Sequence, residues 1–150
     1  MPGTSLRERL HFRHLAAATS LGTFALILLG VYTGATGSGL ACSAQWPLCD
    51  DGLLPQSLPS LIEWLHRFVA MIIGFMMIGL AYGGWRYYEQ RRIRVSVTLA
   101  LVVLPVQVLL GRETVVSYTP EVQTLHHGAA LVIFTAVLAA TLWIYEADRS

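Results

Sequence analysis

The chain has 150 residues, of which 55% are apolar and 13% charged, with a formal net charge of +1. So apolar a composition excludes an ordinary soluble domain, and the near-neutral balance excludes a basic nucleic-acid surface. No phosphate loop or nucleic-acid motif is present, so no nucleic-acid partner is expected.

The charges are segregated. None lies between Arg13 and Asp50, Arg67 and Arg86, Arg94 and Arg112, or Glu121 and Glu146. Each gap holds about 17 or more mostly apolar residues, enough to cross roughly 30 Å of hydrocarbon as a helix. The predicted spans are residues 15–35, 61–85, 94–111 and 122–145. Only helices or closed barrels satisfy their backbone in lipid, so the expected fold is an all-α, four-helix integral membrane bundle, residues 1–150 forming one domain.

The first span follows an arm bearing Arg7, Arg9 and Arg13. Its apolar stretch is longer than a signal-peptide core, and three further spans follow, so it reads as an uncleaved anchor. Arg86, Arg91, Arg92 and Arg94 flank the join between spans two and three. By the positive-inside rule both termini and this join are cytoplasmic, in a multi-pass protein of the cell membrane. Residues 36–60 and 112–121 then face outward.

The loop 36–60 is rich in Gly, Ser and Pro and carries Trp46 and both cysteines, Cys42 and Cys49. Outside the membrane, a disulfide between them is the default. It either staples the outer cap or, if exposed and strained, exchanges electrons with a thiol partner.

Pro59 opens the second helix, with His66 seven residues on; Pro120 opens the fourth, with His126 six residues on. The local frames match, Glu63-Trp64-Leu65-His66 against Gln123-Thr124-Leu125-His126. Leu29-Gly30 and Leu110-Gly111 also mark corresponding ends of helices one and three. Together they form a weak internal repeat of two pseudo-symmetric helical hairpins, with a site expected between them.

Membrane helices pack through small residues and show bulky ones to lipid. In register with His66 are Ala70, Gly74, Met77, Ala81 and Gly84, whereas Met71, Phe75, Ile78 and Tyr82 follow Arg67. His66 is therefore expected to point inward and Arg67 towards lipid. The same test turns His126 inward, with Ala129, Ala130, Ile133, Val137 and Ala140, and puts His127 at the lipid interface. Glu63 shares the face of His66. Ser60-Leu61-Ile62-Glu63 reads as a capping box, and the alternative role for Glu63 is proton handling beside a metal ligand. Pro105 predicts a kink in the third helix, and Gln107 needs a partner inside the bundle.

Two inward histidines can clamp a metal. A di-iron site would need a second Glu-x-x-His where Gln123 stands, and zinc would need three or four ligands. Two axial imidazoles with nothing else suit the iron of a six-coordinate b-type heme. Two buried histidines bonding across helices remain the bland alternative. Arg67 and Arg112, the arginines at the outer face, are candidates for the heme propionates.

Several motifs resemble the heme A synthase family of cytochrome oxidase assembly. They are Thr36-Gly37-Ser38-Gly39-Leu40, Cys42 with Trp46-Pro47-Leu48-Cys49, Ile62-Glu63-Trp64-Leu65-His66-Arg67, and Leu125-His126. The resemblance implies oxidation of a methyl group of the substrate heme O to the formyl group of heme A. Two hydroxylations and loss of water would accomplish it, with Glu63 assisting, His66 and His126 as axial ligands, and the cysteines joined. Family members typically have eight spans in two such halves, pairing a substrate-heme site with a second, heme b site. The resemblance therefore also implies a homo-oligomer or an external electron partner, with heme O synthase, cytochrome oxidase or a thiol-redox protein as associates. Gly34-Ala35 stands where the family carries an arginine, and Ala44-Gln45 where it carries Pro-Asp. A quinone-linked b-type electron carrier and a non-catalytic heme-binding assembly factor are the competing readings.

Overall fold

The computed structural model describes residues 6–43, 45–52 and 54–149, the side chains of Leu6 and Arg7 excepted. The Arg7 side chain of the basic arm and Ala44 thus lie outside the described residues. Four long helices dominate: α1 Leu6–Ala35, α2 Leu58–Tyr87, α3 Arg91–Val116 and α4 Pro120–Ala147. Each is long and apolar enough to cross a membrane. Each runs beyond its predicted span at one or both ends, because charged and polar residues flanking the apolar stretch continue the helix.

The connections α2–α3 and α3–α4 are three residues each, 88–90 and 117–119, which makes these neighbours antiparallel. α1 packs on α2 and α4, and α3 packs on the same two helices. α2 and α4 therefore sit on one diagonal of the bundle, α1 and α3 on the other.

The starts of α1 and α3 meet the ends of α2 and α4 at one end. There Phe12 meets the rings of Tyr87 and Tyr88, Tyr88 donates its hydroxyl to Asp148 at 2.9 Å, and Arg92 pairs with Glu146. Burial, then Asp148, pushes the Tyr88 phenol above its usual range, so it remains a donor at neutral pH.

The apolar core fills this half of the bundle. It includes Phe12, Ile73, Leu80, Ile93, Val97, Val137 and Ile144. Across it Ser20 Oγ and Thr141 Oγ1 lie 2.8 Å apart, and Thr141 also donates to the Ala16 carbonyl at 3.1 Å. Such interhelical bonds contribute about 0.6 kcal/mol each in a membrane protein.

Gly83 lets α1 and α2 approach: a Cβ built there would stand 2.1 Å from the Phe12 ring. Gly83→Ala is expected to destabilise the bundle by about 1–3 kcal/mol, because the added methyl pushes the ring out of its contacts with Tyr87 and Tyr88. An unchanged melting temperature in detergent would contradict this packing.

At the opposite end the long loop folds over the bundle. Residues Ser38–Leu40 form a single 3-10 turn packed on α1, α2 and α3. Gly37 precedes it at φ 70°, a left-handed conformation that a side chain resists. Cys42 and Cys49 form a disulfide, S–S 2.03 Å, and both are buried. The loop's far end is tied to α2 through Asp50, which accepts from Ser60 Oγ at 3.2 Å and Gln56 N at 2.7 Å.

Ser57, not Ser60, caps α2: its hydroxyl accepts from Ser60 N at 3.2 Å. Pro59 falls in the first turn, where its missing N–H costs nothing. The expected capping box at Ser60–Glu63 is therefore displaced by one turn, which frees the Glu63 carboxylate for other partners. Thr119 caps α4 in the same manner, accepting from Val122 N at 3.2 Å, with Pro120 in the first turn. Pro105 lies within α3, which runs unbroken from Arg91 to Val116.

Candidate functional site

The loop end of the bundle has a different interior. Among the described residues, those buried there are chiefly small or polar: Thr33, Ser38, Ser60, Glu63 and the two cysteines, with Val115. The helix faces follow the small-residue stripes. Met77, Ala81 and Gly84 below His66 are buried, whereas Met71, Phe75, Ile78 and Tyr82 are exposed. On α4, Ile133, Val137 and Ala140 are buried, and Leu131, Leu138 and Leu142 are exposed.

His66 and His126 thus project from diagonal helices. At ordinary interaxial distances of 8–10 Å between neighbours, a square bundle separates its diagonal axes by about 11–14 Å. Each imidazole lies against a glycine of its own hairpin. A Cβ at Gly30 of α1 would stand 2.9 Å from His66 Cε1, and one at Gly111 of α3 would stand 3.1 Å from His126 Cε1. A larger residue at either glycine would displace the ring.

The Nδ1 atoms of both rings are buried without a hydrogen-bond partner, as is Gln107 Oε1. An unpaired buried polar atom costs about 1–3 kcal/mol, so each of the three is suited to a further polar partner. Gln107 finds the partner it needed: its amide nitrogen lies 3.4 Å from His126 Nε2. The His127 ring centre lies 6.1 Å from that of His126.

Glu63 sits one turn above His66 on α2 and is 5% exposed. Its Oε1 accepts from Arg67 Nε at 2.8 Å. Its Oε2 faces Gly39, 3.9 Å from where a Cβ there would stand. On α4, Gln123 holds the position matching Glu63, and its amide nitrogen approaches Gly34 of α1.

Arg67 departs from expectation. Its side chain is 14% exposed and folds away from lipid. One terminal nitrogen, Nη1, donates to the carbonyls of Gln45, Pro47 and Leu48 at 3.1, 3.0 and 2.9 Å. The other, Nη2, is buried without a partner. A helical wheel places the Cα of Arg67 correctly, but a long side chain can leave that face for loop carbonyls that accept its N–H groups. Arg112 instead pairs with its neighbour Glu113 at the exposed end of α3.

The disulfide also departs from one of its two expected forms. An electron-exchanging bridge was expected to be exposed, yet Cys42 and Cys49 are 0% and 1% exposed.

The family model described as COX15-CtaA, cytochrome oxidase assembly protein, matches residues 56–150. Heme A synthase of Bacillus licheniformis is 34% identical over 137 residues, covering 89% of this chain and 45% of that protein. Heme A synthase of Bacillus mycoides is 34% identical over 139 residues, covering 90% and 45%. Protoheme IX farnesyltransferase of Halobacterium salinarum is 36% identical over 139 residues, covering 91% of this chain and 30% of that protein. The chain therefore spans a little under half the length of the heme A synthases it matches.

Proposed function

The chain belongs to the COX15-CtaA family of cytochrome oxidase assembly proteins, and is a membrane-integral member of it. On that premise we propose that it binds heme between α2 and α4 and takes part in converting heme O to heme A. One observation carries this reading: two inward imidazoles stand on diagonal helices, each backed by a glycine and each with an unpartnered ring nitrogen. The residues fit the group. His66 and His126 would hold the iron, and the residues around them on the packed faces, Gly30, Gly111, Ala70, Ala129 and Ala130, are small.

Bound heme iron would supply the redox chemistry by which a methyl group becomes a formyl group. The protein's part is to position and to move protons. Glu63 Oε1 is held by Arg67, which leaves Oε2 as the oxygen able to accept or release a proton. The buried unpartnered Nη2 of Arg67 is suited to a heme propionate; Arg112, already paired, is a weaker candidate for the same role. The similarity to a stretch of a protoheme IX farnesyltransferase supports a farnesylated heme as substrate, and a heme O synthase as supplier.

The arginines at Arg86, Arg91, Arg92 and Arg94 support a cytoplasmic placement for the termini and an outer placement for the site. The matching glycine–histidine contacts support a pseudo-two-fold relation between the hairpins. A second copy of the chain, or an external electron partner, completes the proposal.

Purified protein tests it by pigment extraction and mass spectrometry. Heme O, hydroxylated heme O or heme A is the expected outcome. Heme B alone would favour a b-type carrier with a fixed cofactor, and no pigment would remove the reading.

A further inference from the structure

Arg67 connects two features that are far apart in sequence. All three carbonyls it binds, those of Gln45, Pro47 and Leu48, belong to the ring closed by Cys42 and Cys49. On its other side its Nε holds the Glu63 carboxylate. One planar guanidinium thus spans the disulfide ring and the buried acid, a geometry a lysine's single ammonium cannot reproduce.

We propose that Arg67 is a positioning residue that couples the outer disulfide ring to Glu63. With the ring closed, its carbonyls are gathered on one guanidinium nitrogen, and Arg67 is oriented to hold Glu63 Oε1. With the ring open, those carbonyls disperse and Glu63 loses its fixed partner. The coupling is reciprocal, as any energetic link between two sites must be. Both sulfurs are buried, so a dithiol reaches them only when the loop lifts from α2. Arg67, together with the Asp50–Ser60 tie, helps to hold the loop down. The proposal rests on the reading of Glu63 as the group that handles protons, but its test does not.

The chain has two cysteines and no others, so the redox state of the bridge is read without ambiguity. Full-length protein in detergent is incubated with dithiothreitol, trapped with an alkylating agent and weighed. The dithiol gives up two electrons and becomes a cyclic disulfide; the Cys42–Cys49 bond breaks and each sulfur gains a hydrogen. Arg67→Gln is expected to be reduced about tenfold faster than the unaltered chain or more, from the loss of charge-assisted bonds. Arg67→Lys should fall between the two, as should Glu63→Gln, which leaves the arginine in place with a weaker partner. Equal rates in all four proteins would overturn the proposal.

Infrared difference spectra of the oxidised and reduced unaltered chain supply the reverse arm. A carboxylate band that moves on reduction, and is absent from Glu63→Gln, is expected. A carboxylate region indifferent to reduction would also overturn it. Neither arm requires product formation. Coupling without heme A would count against the proposed function alone, and heme A without coupling would count against this inference alone.

Discussion

Replacing His66 or His126 with Ala is expected to remove the six-coordinate heme spectrum and most of the bound pigment. Each imidazole is one of the two proposed to hold the iron, and Gln107, the polar neighbour of His126, offers an amide rather than an imidazole. Losing a group that merely supports a metal ligand weakens binding by roughly 10–100-fold, so loss of the ligand itself should cost at least that much. Optical spectra and pigment-to-protein ratios after gel filtration measure it. The His127→Ala protein should keep both, since His127 belongs to the face of Leu131 and Leu142, which are exposed. A full spectrum in His66→Ala or His126→Ala would remove that residue from the site.

Glu63→Gln is expected to separate binding from conversion. Glutamine keeps the size of the side chain and can still accept from Arg67 Nε, so the loop end of α2 should hold its geometry. It cannot take up a proton. Loss of a positioned general acid or base lowers a rate by about 100- to 10,000-fold, and heme content should be unchanged. Pigment analysis of cells making the variant would then show heme O accumulating with heme A nearly absent. Unaltered heme A would take Glu63 out of the chemistry and leave it as a partner for Arg67.

Much of the architecture is legible in the sequence, for physical reasons that differ by residue. The four spans follow from the cost of charge in hydrocarbon, and the inward faces from the small residues that let helices approach. Gly74, Ala81 and Gly84 mark one side of α2, and Phe75 and Tyr82 the other, whatever the loops do. The start of α2 is less legible. Ser57, Ser60 and Glu63 all suit a helix start, and the choice fell to Ser57 because Asp50, ten residues before Ser60, engages the Ser60 hydroxyl.

Arg67 was the least legible residue of the site. Its Cα follows the lipid face, and its destination depends on carbonyls whose positions are set by the fold of a loop 19–22 residues away. Gln107 announces by its polarity that it needs a partner, but its neighbour His126 is 19 residues distant on another helix. Such cross-element contacts have no local signature. The glycines Gly30 and Gly111 stood out as repeated marks at the ends of α1 and α3, although only the packed bundle shows what each one makes room for.

The proposed site is a single heme iron bound by one imidazole from α2 and one from α4. Pulsed electron paramagnetic resonance on ferric protein containing nitrogen-15 histidine counts these ligands directly. Two equivalent histidine nitrogens on a low-spin iron are expected in the unaltered chain, with one remaining in His66→Ala and one in His126→Ala. A single histidine nitrogen in the unaltered chain, or two that survive either substitution, would contradict the account.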